Sequence, residues 1–300
     1  MPQDKNYRKS SSRPSSSRGN KPSGNKPMPQ KPADKPSFGS KAAGSRPSAR
    51  PKKLKTKRSS EELDRPGVRL NKFLANAGLC SRREADELIK TGAVSINGEV
   101  VTEMGLRVMP GDKVLLGDKR VMGEKPVYVL LNKPKDYITT TKDPNNRKTV
   151  MHLVQDQCKE RVYPVGRLDR QTTGVLLFTN DGNLADKLLH PSGKVGKIYH
   201  AELDKRLSPE HLEALRKGLK LEDGFIKPDE IDQVEGADAK HIGLKIHSGK
   251  NRIVRRMFEH LGYRVVKLDR VWFAGLTKKG LKRGQARHLS PEEVVFLKRL

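Results

Sequence analysis

The sequence predicts an α+β protein: a small αα-ββ module, then a larger domain whose mostly antiparallel mixed sheet is flanked by helices. Three observations carry that expectation. Helix-period and strand-like segments alternate after residue 67, but too irregularly for a doubly wound nucleotide fold. Asn97-Gly98, following alternating Val94 and Ile96, is a strong hairpin signal. Residues 1–60 show neither period, and Phe38 and Leu54 are their only Val, Ile, Leu, Phe or Trp residues.

Taken in order, the chain divides into four parts. Residues 1–66 form a Ser-, Pro- and Lys-rich arm; its first 60 hold 17 Lys/Arg against two acidic residues. Such a segment cannot bury enough apolar surface to offset its ordering entropy, so disorder is expected. The small module spans 67–117. Leu70, Phe73, Leu74 and Ala77 recur at helical spacing until Gly78. Ser81-Arg82-Arg83-Glu84 has the form of a capping box, after which Ala85, Leu88 and Ile89 face a core. The hairpin follows, and RVMPGDKVLL reads as a further strand. This leaves Arg69, Lys72, Arg82, Arg83 and Lys90 for the surface. A linker is expected over 118–126.

The larger domain occupies 127–300. VYVLLNKP reads as a strand, followed by a threonine-rich loop at 139–141. In GRLDRQTTGVLLFTNDG, residues Val175–Phe178 form a buried strand bounded by Gly174 and Asn180-Asp181-Gly182. NLADKLLH is a helix capped by Asn180 or Asp181, and KIYHAELD a strand. Ser208-Pro209 opens a helix that Gly218 stops. HIGLKIHSG is a strand, KNRIVRRMFEHLG a helix, and RVVKLDRVWFAGL again extended. Ser290-Pro291-Glu292-Glu293 caps a last helix.

A formal net charge of +27 points to a polyanionic partner, most simply nucleic acid. No apolar run approaches the roughly 20 residues that cross a bilayer, and the N-terminus lacks a signal-peptide core. No membrane association and a cytoplasmic location are therefore expected. Cys80 and Cys158 stand alone, without metal-ligand spacing. Phosphate-binding loops, dinucleotide fingerprints and the zinc and serine-hydrolase signatures are all missing. Arg167, Asp169 and Arg170 stand out, because charge at the entrance to a core strand needs a reason. Asp181 lies beyond a strand of roughly 17 Å, too far to serve as a second acid/base carboxylate. One carboxylate must act with cations and an aromatic.

Two runs carry a family resemblance. RLNKFLANAGLCSRREADELIKTGAVSINGEVV resembles the RNA-binding module first described in ribosomal small-subunit protein S-four. That implies phosphate contacts from Arg82, Arg83, Arg69 and Lys72, which position RNA without reading its bases. YPVGRLDRQTTGVLLFTNDG resembles the active-site motif of pseudouridine synthases that modify ribosomal RNA, with Val175 a mild departure. GKIYHAEL resembles that family's second motif. SGKNRIVRRMFEHLGYRVVKLDRVWFAGL resembles its third, with Ile253 where glutamine is common.

The resemblance, covering about 68–295, implies that Asp169 is the catalytic carboxylate and Tyr199 stacks on the target base. It implies that Arg255 pairs with Asp169, Arg256 being the alternative and otherwise an RNA contact, and that Arg167 fills the gap left by a flipped base. The isomerisation needs no cofactor or metal, and a monomer is expected. The implied substrate is ribosomal RNA, of the large subunit, free or in a preribosomal particle. Small-subunit or transfer RNA is the alternative within the same chemistry, and a noncatalytic assembly factor the alternative outside it. The intact GRLD together with Tyr199 and Arg255 favours the enzyme. Trp272 and Phe273 are expected in the core.

Removing residues 1–60 is expected to leave thermal stability unchanged, since almost no apolar side chain goes with them. RNA affinity falls and its salt dependence becomes shallower, as measured by filter binding across a salt series. A clear drop in melting temperature would show instead that the arm packs on the rest.

Overall fold

A computed structural model describes residues 67–300, and the basic arm expected over 1–66 lies outside the described residues. The small module contains β1 (Val68–Arg69), α1 (Leu70–Asn76), α2 (Arg82–Lys90), β2 (Val94–Ile96), β3 (Glu99–Val101), β4 (Arg107–Val108), β5 (Val114–Leu116) and β6 (Lys119–Arg120). Ser81 caps α2 as its sequence requires: its hydroxyl accepts from the Glu84 N–H, and the Glu84 carboxylate accepts from the Ser81 N–H. Asn97 and Gly98 both take positive φ, 54° and 92°, as a two-residue hairpin between β2 and β3 demands.

The run RVMPGDKVLL is not one strand. Its first half pairs with β1 and its second with β2, because Pro110-Gly111 turns the chain between them. Within the stretch expected as linker, β6 pairs with β5 and Val121 is buried among the module's apolar residues. The result is a four-stranded sheet, β3-β2-β5-β6, under two helices.

The larger domain contains β7 (Tyr128–Lys133), β8 (Tyr163–Pro164), β9 (Thr172–Thr179), α3 (Gly182–Leu189), β10 (Lys197–Leu203), α4 (Pro209–Lys217), β11 (Leu219–Leu221), β12 (Gly224–Ile226), β13 (Glu230–Gln233), β14 (His241–Ile246), α5 (Ile253–His260), β15 (Val265–Phe273), β16 (Leu276–Thr277), β17 (Ala286–His288) and α6 (Pro291–Arg299). Its main sheet runs β13-β14-β10-β15-β9-β7-β17, antiparallel throughout except where β9 and β15 run parallel at the centre.

The strand β9 is buried on both faces. Val175 and Leu177 join the apolar cluster under α3 and α6, while Leu176 and Phe178 join the cluster on the opposite face. That is why the sequence shows an unbroken apolar run rather than alternation. The strand starts at Thr172, two residues before the expected glycine boundary. Gly174 lies inside it at φ 106°, and a Cβ there would collide with the carbonyl oxygen of Arg270. The glycine marks a close approach of β9 and β15, not a strand end.

A buried lysine shapes the chain before β9. Lys133 ends β7 opposite Gly174 and is 0% exposed. Its ammonium donates to the carbonyls of Thr172 (2.9 Å), Pro134 (3.0 Å), Asp169 (3.1 Å) and Arg170 (3.3 Å). Burial pushes its pKa down to about 8, opposed by the charges of Asp169 and Asp136. The loop 169–172 is thus wrapped around a cation. Thr139 closes it from the other side, its hydroxyl donating to the Leu168 carbonyl (2.8 Å) and accepting from the Leu168 N–H (3.3 Å).

Lys133→Met keeps the volume but leaves these carbonyls without their donor. It is expected to lower stability by about 2–4 kcal/mol and to expose the amides of 168–172 to rapid hydrogen exchange. Unchanged exchange in that loop would show that the lysine does not anchor it.

Candidate active site

The parallel junction sets the site. The loop before β9 and the helix α5 before β15 both reach the same end of the sheet. Tyr199 of β10 sits opposite Arg270 of β15, which in turn sits opposite Gly174. These elements enclose a cleft of about 540 Å³ lined by Arg167, Asp169, Tyr199, Arg252, Arg270 and Phe273, among others. Asp169 is the only carboxylate among the residues lining it. Asp181 stands at the far end of β9, where it caps α3 and accepts from the Tyr128 hydroxyl at 2.8 Å.

The side chain of Asp169 is 36% exposed, and its nearest cation is Arg252, Nη1 to Oδ2 3.8 Å. This corrects the expected partner. Arg255 does turn inward and is only 8% exposed, but its Nη1 donates to the Val265 carbonyl at 2.6 Å. Its Nε and Nη2 are buried and have no hydrogen-bond partner. Burial lowers the Arg255 pKa, Arg252 adds to that, and Asp169 and Glu259 oppose it. Arg256, one residue on, points elsewhere and grips Asp223 through two bonds of 2.7 and 2.9 Å. Successive helix residues do not share a face, and the residue that reaches Asp169 is the one just before α5. Arg252 does so from the left-handed region, φ 47° and ψ 29°.

Two cations missed by the sequence reading complete the floor. Arg270 is 2% exposed; its Nε donates to the Val175 carbonyl at 2.8 Å and its guanidinium lies over the Phe273 ring at 4.7 Å. Lys197 donates to the carbonyls of His247 (2.7 Å) and Val195 (3.1 Å). Its pKa is pushed down to about 8 by burial, then by Arg270. Both residues sit in strands that read as ordinary, so only a charge expected inside a core could have flagged them. The same signal was present for Lys133, at the end of an apolar strand. Phe273 is buried in the core as expected, whereas Trp272 is only half-buried and stands outside the apolar clusters.

The remaining predicted residues divide. Arg167 is exposed at the cleft. Arg82 and Arg83 are exposed at the start of α2, away from the cleft. Arg69 is half-buried in β1. Lys72 is not free on the surface: its ammonium lies 2.8 Å from Asp186 of α3, and its side chain is 19% exposed.

Comparison with known proteins bears on the family of the chain. The family model for RNA pseudouridylate synthase matches residues 127–260, and that for the S4 domain matches 68–114. The chain is 43% identical over 235 residues to "Ribosomal large subunit pseudouridine synthase B" of Bacillus subtilis, covering 77% of this chain and 96% of that one. It is 40% identical over 234 residues to an "Uncharacterized RNA pseudouridine synthase" of Aquifex aeolicus, covering 77% and 93%. A crystal structure of a pseudouridylate synthase superposes with a TM-score of 0.55 at 28% identity, covering 77% of this chain and all of that one. The two family models and a relative 43% identical over most of both chains show the family: this chain belongs to the RNA pseudouridylate synthase family.

Proposed function

We propose that this chain converts one uridine of large-subunit ribosomal RNA to pseudouridine, with Asp169 as the catalytic carboxylate. The observation that carries this is Asp169's place as the single carboxylate of the cleft, held by the Lys133-centred loop beside Tyr199. Conversion breaks the bond from the ribose C1′ to the uracil N1 and rejoins C1′ to C5, so the product is an isomer. A carboxylate can serve by attacking the sugar or base, or by removing a sugar proton; both routes require the ionised form. Tyr199 offers its ring to the base, and Arg252 holds the carboxylate. Arg167 stands where an exposed cation can occupy the space a flipped nucleotide leaves.

The large-subunit assignment follows the name of the Bacillus relative and the basic chain. The small module supports a clamp role, with Arg82 and Arg83 set on phosphates of a stem. We take the protein to act as a monomer in the cytoplasm. Mapping pseudouridines by chemical adduct and primer extension, in RNA from a strain lacking the gene, identifies the site. A missing modification in small-subunit or transfer RNA alone would overturn the large-subunit reading.

Asp169→Asn keeps size and hydrogen bonding but loses charge and nucleophilicity. Single-turnover tritium release from RNA labelled at uridine C5 is expected to fall by at least about a thousandfold, while filter binding of RNA is retained. Substantial release by the folded mutant would sink the mechanism.

Arg252→Ala is expected to slow the same step by about a hundredfold at saturating enzyme, whereas Arg256→Ala leaves it near wild type. The reverse order would favour Arg256, the alternative partner of the sequence analysis, over Arg252.

A further inference from the structure

A second cavity, of about 450 Å³, lies where the small module meets the larger domain, apart from the cleft that holds Asp169. Its size falls in the ~300–1,000 Å³ range of small-ligand sites. The walls come from α1 and the start of α2 on one side, and from β8, the start of α3 and the loop at 141–142 on the other. Two ion pairs join these walls, Lys72–Asp186 at 2.8 Å and Lys142–Glu84 at 2.6 Å.

The chemistry of the lining is uneven in an informative way. Met151 and the ring of Tyr163 give it an apolar surface, and Arg82 and Arg161 stand exposed at it. Neither guanidinium forms a hydrogen bond or ion pair with the described residues. The side chains of Asn76 and Tyr163 also lack hydrogen-bond partners there, and both converge on Gly182, their oxygens each 3.1 Å from where a Cβ would stand. Tyr163 remains a hydrogen-bond donor at neutral pH, since burial pushes its pKa up to about 12. Two free cations, an aromatic face and an unpaired amide suit a base with a phosphate on either side. A duplex offers its phosphates but hides its base faces, whereas an unpaired nucleotide presents both.

We propose that this inter-module cavity seats an unpaired nucleotide of the RNA substrate, outside the active-site cleft. Arg82 and Arg161 take the flanking phosphates, Tyr163 packs on the base, and Asn76 hydrogen-bonds its edge. The position matters for the reaction. Lys142 belongs to the threonine loop whose Thr139 holds Leu168, next to Asp169, so the same loop touches both sites. The proposal rests on RNA binding, not on the role of Asp169, and it is read out by binding alone, including in Asp169→Asn.

The test uses the full chain with two RNA probes, a blunt hairpin and the same hairpin carrying a short unpaired tail. The tail is expected to improve affinity by about tenfold, and Asn76→Ala with Arg161→Ala to remove that gain while leaving blunt-hairpin affinity unchanged. An iodouracil in the tail should crosslink to the peptide containing Tyr163, as located by mass spectrometry. Thermal melting checks that the double variant is folded; if it is not, the crosslink on the unmutated chain decides. Equal loss for both probes, or a crosslink confined to other peptides, would overturn the proposal. Saturable binding of free AMP or UMP with no effect of the tail would make the cavity a mononucleotide site, and would overturn it too.

Discussion

The ammonium of Lys133 has no hydrogen-bonded carboxylate; four backbone carbonyls take that place, and three of them belong to the loop of Asp169. A buried cation is costly unless its hydrogen bonds are made, so the loop cannot relax without leaving that charge unsolvated. The constraint runs outward from there. The loop enters β9, β9 runs against β15 at Gly174, and β15 carries Arg270 beside Tyr199. Asp169 is therefore placed by backbone geometry, leaving its carboxylate free to face the cleft.

The cleft itself concentrates positive charge. Arg167, Lys197, Lys250, Arg252 and Arg270 line it with Asp169 as their single carboxylate. Their environments separate them into two groups. Arg270 and Lys197 are bonded to backbone carbonyls and hold a fixed position, whereas Arg167 and Arg252 are exposed and can follow a phosphate or a carboxylate. Cations bonded to backbone carbonyls shape the floor, and exposed ones stand at the rim.

Much of this was legible in the sequence, for physical reasons that can be named. Capping residues act locally, so Ser81, Ser208 and Ser290 mark their helices correctly. The apolar run of β9 and the hairpin at Asn97-Gly98 are likewise local signals. The short strands β11, β12 and β13 were missed, because their burial comes from packing against α4 and α5 and their own pattern is weak. The motifs pointed to Asp169 and Tyr199, which line one cleft. They did not identify the partner of Asp169, since three arginines within five residues differ only in the direction their backbone gives them. Lys72 was misread as free because its partner, Asp186, lies 114 residues away.

Arg252 holds its place in a left-handed conformation that glycine adopts freely and that L residues, asparagine and aspartate apart, avoid. Glycine there would relieve a strain of order 1 kcal/mol and would simplify the start of α5. A screen that rewarded heat resistance alone would be drawn to this position, and the chain it selected would melt later but lack the guanidinium that meets Asp169. At this one residue a change that favours stability removes the cation beside Asp169, so heat resistance and the charge pattern of the cleft make opposite demands.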